Sequence, residues 1–321
     1  MNIKLIDPVN GKTLIEISEG LAYNGQLAYP YKEGAYRIVE DNNYTQNFGY
    51  QWNKFVKTQI DSVENSISKI RFFAETNWDK EDLTGKNILE VGSGAGRFSE
   101  VILNHTNANL YSVDYSNAVE ANFNNNGHYG DRFKLFQASI YDMPFAPRQF
   151  DKVLCFGVLQ HTPDFELSVK TLIDMVRPGG ELVVDFYCIN GWWTKVCIKY
   201  MLRPFTKKWK HDKLLKKIEQ NIDWMIKVYF FLHKIKLGIL TRFLPICDIY
   251  GCTPYEELSI EQLREWCVLD TFDVYSPEHD YPQKISTVKK WVEGMGMIVS
   301  FADYIIYGNG LKAAVIRAIK K

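Results

Sequence analysis

The sequence predicts an α/β fold: a mostly parallel sheet wound on both faces by helices, with a β-rich extension before it and a helical insert within it. Three observations carry this prediction. Residues 85–188 alternate apolar runs with helical stretches. A strand-to-helix loop with glycine at every second position, Gly92-Ser93-Gly94-Ala95-Gly96, opens that alternation. From 191 to about 250 the chain becomes basic and aromatic with helical apolar spacing.

Taken in order, residues 1–45 are rich in Tyr, Ile and Val, and Asn10-Gly11 and Asn24-Gly25 are hairpin signals. Residues 50–75 place Phe55, Ile60, Val63, Ile67, Ile70 and Phe73 at helical spacing. Five strands are expected at Asn87–Val91, Asn109–Val113, Phe133–Ala138, Lys152–Phe156 and Glu181–Tyr187, with a helix starting near Arg97. A last helix spans 284–294, followed by strands Met297–Tyr304 and Leu311–Ile319 joined by Gly308-Asn309-Gly310. The expected divisions are 1–45, a small β module; 46–190, the core with a covering helix; 191–260, the insert; and 261–321, the return to the core.

At 321 residues the chain has room for two domains, or for one with additions. Formal net charge is zero, so overall charge names no partner. Lys195 to Arg242, however, holds thirteen Lys and Arg against Asp212, Glu219 and Asp223. Such asymmetry points to an anionic partner. The six cysteines, at 155, 188, 197, 247, 252 and 267, form no CxxC pair, so a zinc knuckle or redox motif is not expected. The start Met1-Asn2-Ile3-Lys4-Leu5 lacks the apolar run of a signal peptide, and Trp224–Leu244 is broken by Lys227, Lys234, Lys236 and Arg242. A cytoplasmic protein is expected.

The glycine loop carries the chemistry. Glycines let the backbone turn sharply and approach a ligand, and the following helix N-terminus favours an anionic group. The G-x-G-x-G spacing differs from the dinucleotide G-x-G-x-x-G. Glu90 stands two residues before Gly92, where it would balance a ligand ammonium group. Asp114 ends the next strand, 18 residues after Gly96, where a carboxylate can accept ribose hydroxyls. Alone, Asp114 would serve a nicotinamide nucleotide equally well.

With the loop and Asp114, the run Phe150-Asp151-Lys152-Val153-Leu154-Cys155-Phe156-Gly157-Val158-Leu159-Gln160-His161-Thr162-Pro163-Asp164 and the turn Arg177-Pro178-Gly179-Gly180 resemble class I S-adenosylmethionine-dependent methyltransferases of the methyltransferase-11/ubiquinone-biosynthesis type. The resemblance covers about 85–190 and resumes near 266–320. It implies a Rossmann-like seven-stranded sheet and S-adenosyl-L-methionine as cofactor. Gly92, Gly94 and Gly96 would wrap its methionyl part, Asp114 would hold the ribose, and Tyr115 would pack on the adenine. Phe156 and Gly157 would complete the wall. Ser139 stands where the family usually has Asp and would accept from the adenine amino group, with Ile140 beside it. Gln160 replaces the usual first His of the fourth-strand motif.

Asn47-Phe48-Gly49-Tyr50-Gln51-Trp52 with Thr58-Gln59-Ile60-Asp61-Ser62, and Leu269-Asp270-Thr271-Phe272-Asp273-Val274-Tyr275-Ser276-Pro277, are similar to the "FG-QW…QLDS" and "L-TFD-YSP" stretches of a bacterial subgroup linked to surface-glycan or secondary-metabolite genes. The subgroup often begins with a zinc ribbon. Ile6-Asp7-Pro8-Val9-Asn10-Gly11 stands where its "CPxCG" would be, so a ribbon-like shape without zinc is expected. Gln51 and Trp52 would close over the cofactor.

Methyl transfer from a sulfonium needs alignment, and a base when the acceptor is a hydroxyl or a protonated amine. His161, just past the fourth strand, is the best base candidate, the alternative being a structural or substrate-positioning role in which it bonds a loop carbonyl, and His279 is a second candidate. The insert suits a lid over a small-molecule or glycan- or lipid-linked anionic acceptor, or a membrane-surface contact through 195–242; a helical cap with aromatic core and solvated lysines is the plainer alternative. An RNA methyltransferase and a non-catalytic binding protein of the same fold are the alternatives. No N/D-P-P-Y/F tetrapeptide follows the fourth strand, which opposes a nucleic-acid base as acceptor.

Overall fold

The computed structural model describes residues 3–39, 43–61, 66–189 and 191–321, the side chain of Cys252 apart. Val63, Ser62 and the first two residues lie outside it. Four strands come first: β1 (Ile15–Ile17), β2 (Gly20–Tyr23), β3 (Gln26–Lys32) and β4 (Ala35–Arg37). Asn24 and Gly25 both have positive φ and make the tight β2–β3 turn, as their pairing demands. The Asp7–Gly11 turn is tied by the Asp7 carboxylate, which accepts from Val9 N at 2.8 Å, Asn10 Nδ2 at 2.8 Å and Tyr29 OH at 3.0 Å. The extension does not stand apart from the core. Antiparallel to β3, β4 pairs in parallel with β7 (Phe133–Gln137).

The core then runs α1 (Gln46–Lys54), α2 (Ile67–Thr76), β5 (Asn87–Val91), α3 (Arg97–His105), β6 (Asn109–Asp114), α4 (Val119–Asn126), β7, β8 (Phe150–Cys155), α5 (Phe165–Met175) and β9 (Val176–Phe186). The insert follows as α6 (Ile198–Thr206), α7 (His211–Glu219), α8 (Ile222–Lys234), α9 (Ile249–Cys252) and α10 (Ile260–Tyr275). The chain ends with α11 (Ile285–Gly294), β10 (Met297–Tyr307) and β11 (Leu311–Lys320).

The seven core strands lie in the order β7-β6-β5-β8-β9-β11-β10, with β1 to β4 added beyond β7. Strands β5 to β9 are parallel, and β11 is antiparallel to both its neighbours. The order reverses between β5 and β8, so a crevice opens there at the strands' carboxyl ends. Side chains alternate across the sheet. Leu89, Val91, Val113, Val153 and Val184 face a layer that includes Val169 of α5 and Val288 of α11. Ile88, Leu110, Leu154 and Val183 face Phe72 of α2 and Val101 of α3. Strands buried on both faces read as continuous apolar runs, which is why they were legible.

The helix expected over 50–75 is two helices. Phe55 to Ile60 form turns instead, and the Asp61 carboxylate accepts from Ser68 N and Lys69 N, both at 2.9 Å, to start α2. Within the insert, α7, α8 and α10 share a core containing Leu214, Ile218, Met225, Tyr229, Leu269 and Phe272, and Phe55 enters it from beyond α1.

Candidate active site

A cavity of about 880 Å³ lies at the switch point and extends from the glycine loop to the insert. The loop forms its floor. Gly92 N donates to Val113 O at 2.7 Å, which binds the bend to the end of β6. Gly92 and Gly94 have positive φ, and both face crowded neighbours. A Cβ on Gly92 would collide with Val158, and one on Gly94 would stand 2.9 Å from Trp52 Nε1. Glycine thus serves a close approach as well as the turn.

Asp114 closes β6 and lines the cavity. Its Oδ2 accepts from Gly94 N at 2.8 Å, and its Oδ1 accepts from Ser116 N at 2.8 Å and Ser116 Oγ at 2.6 Å. A carboxylate offers about four acceptor positions, so roughly one remains for a ligand hydroxyl. Burial pushes its pKa up against the pull of these donors. Tyr115, Ile140, Phe156 and Gly157 share the wall. Tyr44, which sequence reasoning missed, packs its ring 5.2 Å from that of Tyr115.

Three expected ligand residues are placed elsewhere. Glu90 opposes Ser112 across β5 and β6, on the sheet face that carries α3. Ser99 Oγ and Ser112 Oγ both donate to its Oε2, the latter at 3.0 Å. Asn122 Nδ2 reaches Ser93, Ser99 and Ser112 and closes the network. Burial raises the Glu90 carboxyl to about 7 despite these donors. It supports the loop from beneath and does not face the cavity. Gly96 leaves no room for a Cβ against Asn122 and Asn126, so it serves the approach of α3 to α4. Ser139 Oγ accepts from Tyr141 N at 3.2 Å, within its own turn.

From α1, Gln51 and Trp52 both enter the cavity wall. Gln51 is fully buried, and neither amide atom has a partner among the described residues. The two signature stretches meet here. Asn47 Nδ2 donates to Ser276 Oγ at 3.2 Å, 229 residues away in sequence, and Tyr50 packs on Phe272.

His161 also lines the cavity, buried between the rings of Phe48 of α1 and Tyr187. Its Nδ1 is 3.0 Å from the carbonyl of His279. A carbonyl only accepts, so Nδ1 carries the proton and Nε2 keeps its lone pair. That Nε2 is buried without a partner among the described residues. Burial also holds the imidazole pKa below its ordinary value, opposed by the charges of Asp273 and Asp280. His279 therefore acts through its backbone, and its ring lies outside the cavity lining. Gln160 is structural: its Nε2 donates to Gly157 O at 2.7 Å, and its Oε1 accepts from Tyr187 N at 3.3 Å.

A buried charge network forms the remaining wall. Arg71 bonds Glu75 at 2.7 Å and also Asp185, which accepts from Gly157 N. Arg97 donates to Ser68 Oγ at 2.7 Å and Gln59 Oε1 at 3.2 Å, and Gln59 Nε2 donates to Asp270 at 3.2 Å. Burial, reinforced by Asp273, lifts the Asp270 carboxyl to about 8. Burial lowers the Arg97 guanidinium to about 10. Of these, Asp185 was findable from its place at the carboxyl end of the fifth parallel strand.

Residues 89–184 match the methyltransferase domain family. Together with the sheet order and the glycine loop, this makes the core a class I S-adenosylmethionine-dependent methyltransferase domain. The chain is 28% identical over 196 residues to the tRNA U34 carboxymethyltransferase of Nautilia profundicola, covering 59% of this chain and 57% of the relative. It is 31% identical over 121 residues to the ubiquinone biosynthesis O-methyltransferase of Pseudomonas fluorescens, covering 36% and 50%. The chain spans about half the length of the curated relatives it matches. The solved Burkholderia thailandensis 1,6-didemethyltoxoflavin-N1-methyltransferase, with S-adenosylhomocysteine bound, superposes with a TM-score of 0.47 at 11% identity, over 88% of this chain and 91% of that one.

The residues present fit S-adenosylmethionine. Gly92 and Gly94 form a floor that a Cβ would fill, Asp114 keeps an acceptor position, and the Gln51 amide lacks partners among the described residues.

Proposed function

We propose that this protein is an S-adenosylmethionine-dependent methyltransferase that modifies a hydroxyl of a small, glycan- or lipid-linked acceptor. The observation that carries the reading is the bare, buried Nε2 of His161 on the wall of the cavity that the glycine loop floors. When bound, the cofactor supplies a methyl group already activated as a sulfonium. The chain's residues bind and orient. Asp114 and Gln51 hold the nucleoside and amino-acid parts, Trp52 covers the loop, and His161 Nε2 takes the acceptor proton.

The interior favours a neutral, hydroxyl-bearing reactive end. Four of the cations in its lining are engaged: Arg71 with Glu75 and Asp185, Lys199 with Asp280 at 2.9 Å, Arg242 with the carbonyls of Trp193 and Val196, and Arg97 with Ser68 and Gln59. Tyr187 and Asp273, joined at 3.1 Å, present hydroxyl and carboxylate to the same space. An anionic portion of the acceptor would lie outside, along the basic insert.

Calorimetric titration with S-adenosylmethionine tests the reading. Saturable binding is expected, with loss on Asp114→Ala; absence of heat with the unaltered protein refutes it. A second reading, an RNA acceptor, draws support from the similarity to the tRNA enzyme. It requires tRNA affinity that falls steeply with salt.

A further inference from the structure

The insert has an outward face that methyl transfer does not use. Two of its stretches, 192–211 and 224–247, contain no Asp or Glu and carry ten Lys and Arg between them. The same stretches hold twelve of the twenty-seven large apolar side chains that are exposed in the described residues. Trp192 is 77% exposed, Phe205 67%, Met201 62% and Ile239 59%. Scattered exposed apolar residues are ordinary, but a cluster of this kind marks a contact surface.

These stretches adjoin each other. Arg242 donates to Trp193 O at 2.6 Å and to Val196 O at 3.1 Å, which ties the 238–243 turn to the segment entering α6. On α6, Met201 and Phe205 stand four residues apart and point outward, while Arg203 and Thr206 point inward and bond the carbonyls of Val274, Pro277 and Tyr275. Helix α6 is therefore fixed with its apolar side out. The 238–243 turn packs on both α6 and α8 and extends the face through Phe231 and Phe243. Lys195, Lys234 and Lys236 lie exposed among these residues. Among the described residues no helix is long and apolar enough to cross a bilayer.

We infer that this face docks on a membrane surface rich in anionic lipid, with the apolar side chains of α6 and the 238–243 turn in the interface and the lysines against headgroups. The chemistry is that of an interfacial amphipathic surface: Trp and Phe at the headgroup level, cations around them, and no acid within the two stretches, Glu278 being paired with Lys207 at 2.9 Å. The face continues into the cavity, whose lining includes Ile198, Tyr200, Ile239 and Thr241 of the same segments. A lipid-linked acceptor would thus reach the cavity without leaving the membrane. The docking itself does not depend on the reaction proposed above.

Co-sedimentation of the full chain with vesicles of phosphatidylcholine, alone or mixed with phosphatidylglycerol, tests this. Binding is expected only to the mixed vesicles, and it should weaken at least about ten-fold between about 0.05 and about 0.5 M salt. K195Q and K234Q should each weaken it about five-fold. Combining Trp192→Ala, Phe205→Ser and Phe243→Ser should reduce it to the neutral-vesicle level. Calorimetric titration with S-adenosylmethionine should be unchanged in these variants, which shows that they fold. Equal partition to both vesicle types overturns the inference. So does unchanged binding by the triple variant, a self-associated mass that the same variant abolishes, or tRNA binding through the face without vesicle binding.

Discussion

Replacing Gln51 with leucine should stabilise the free protein and weaken its cofactor binding, an inverse pairing that few residues would give. Gln51 is fully buried, and neither its Nε2 nor its Oε1 has a partner among the described residues. Each buried polar group left without a bond costs about 1–3 kcal/mol. Leucine is close in size and removes both groups while keeping the apolar contacts of α1. Allowing for imperfect packing, the free protein should gain about 1–3 kcal/mol. For a chain of 321 residues each kcal/mol moves the melting midpoint by about 1.5 °C, so a rise of about 1.5–4.5 °C is expected. If the amide bonds the cofactor, its loss costs the complex a similar amount, about 5- to 150-fold in Kd. Thermal melts with and without S-adenosylmethionine read both effects. The unaltered protein should gain about 2.7 kcal/mol at a ligand concentration of about a hundred times its Kd, and the variant about 0.3–1.8 kcal/mol at the same concentration. A Q51L protein that melts lower than the parent, yet keeps the full ligand-induced shift, would refute the reasoning.

Four further outcomes follow from the site. His161→Gln should lower turnover by about 10²–10⁴ while cofactor heat persists; because burial holds the imidazole below its ordinary value, the parent's rate should climb with pH to a plateau, with its half-maximal point below that of an ordinary imidazole. Unaltered turnover removes His161 as the base. Burial raises the Glu90 carboxyl from its ordinary 4.5 in the unfolded chain to about 7 in the folded one, so the folded state holds a proton that the unfolded chain has released, and stability falls as pH rises through that window. Glu90→Gln should flatten that slope, worth about 2–4 kcal/mol between the two limits, and leave cofactor affinity within a few-fold; melts at about pH 5 and about pH 8 with parental slope count against it. Asp114→Asn should weaken cofactor binding about 10- to 100-fold, and unchanged affinity in a titration would exclude the ribose contact. Gly96→Ala should cost about 2–4 kcal/mol of stability, because the new methyl meets Asn122 and Asn126 at a left-handed φ; an unshifted melt would show that α3 and α4 have room to part.

Short-range signals made much of the architecture readable in advance. The five parallel strands are buried on both faces, so each appears as an uninterrupted apolar run between turn residues. Loop chemistry was equally plain, since glycine at positions 92 and 94 answers to both the bend and its crowded neighbours. Position relative to the sheet was harder. Strand parity sends Glu90 to the same face as Ile88, away from the ligand side, and that inference was available from alternation alone. The Ser139 hydroxyl turns to a neighbouring amide, a local choice that spacing does not reveal. What lay beyond reach was pairing over long separations. The β4–β7 bridge joins residues about a hundred apart, and the Gln59–Asp270 contact spans 211. Neither has a periodicity to announce it.

Those long contacts link the two ends of the site. Helix α1 carries Gln51 and is held to α10 and the turn after it by Asn47 with Ser276 and by Tyr50 with Phe272. The 274–277 segment is in turn the anchor of α6, through the Arg203 bonds to Val274 and Pro277 and the Thr206 bond to Tyr275. Arg203, Thr206, Ser276 and Asn47 are all buried, so each of these bonds is shielded from water and costly to break. The outward face of α6 and the inward amide of Gln51 are therefore opposite ends of one packed chain of contacts. A displacement of α6 on meeting a surface would be felt at the segment that seats α1. The cover over the glycine loop and the basic face outside are joined by one series of buried contacts, even though their residues lie about 150 positions apart in sequence.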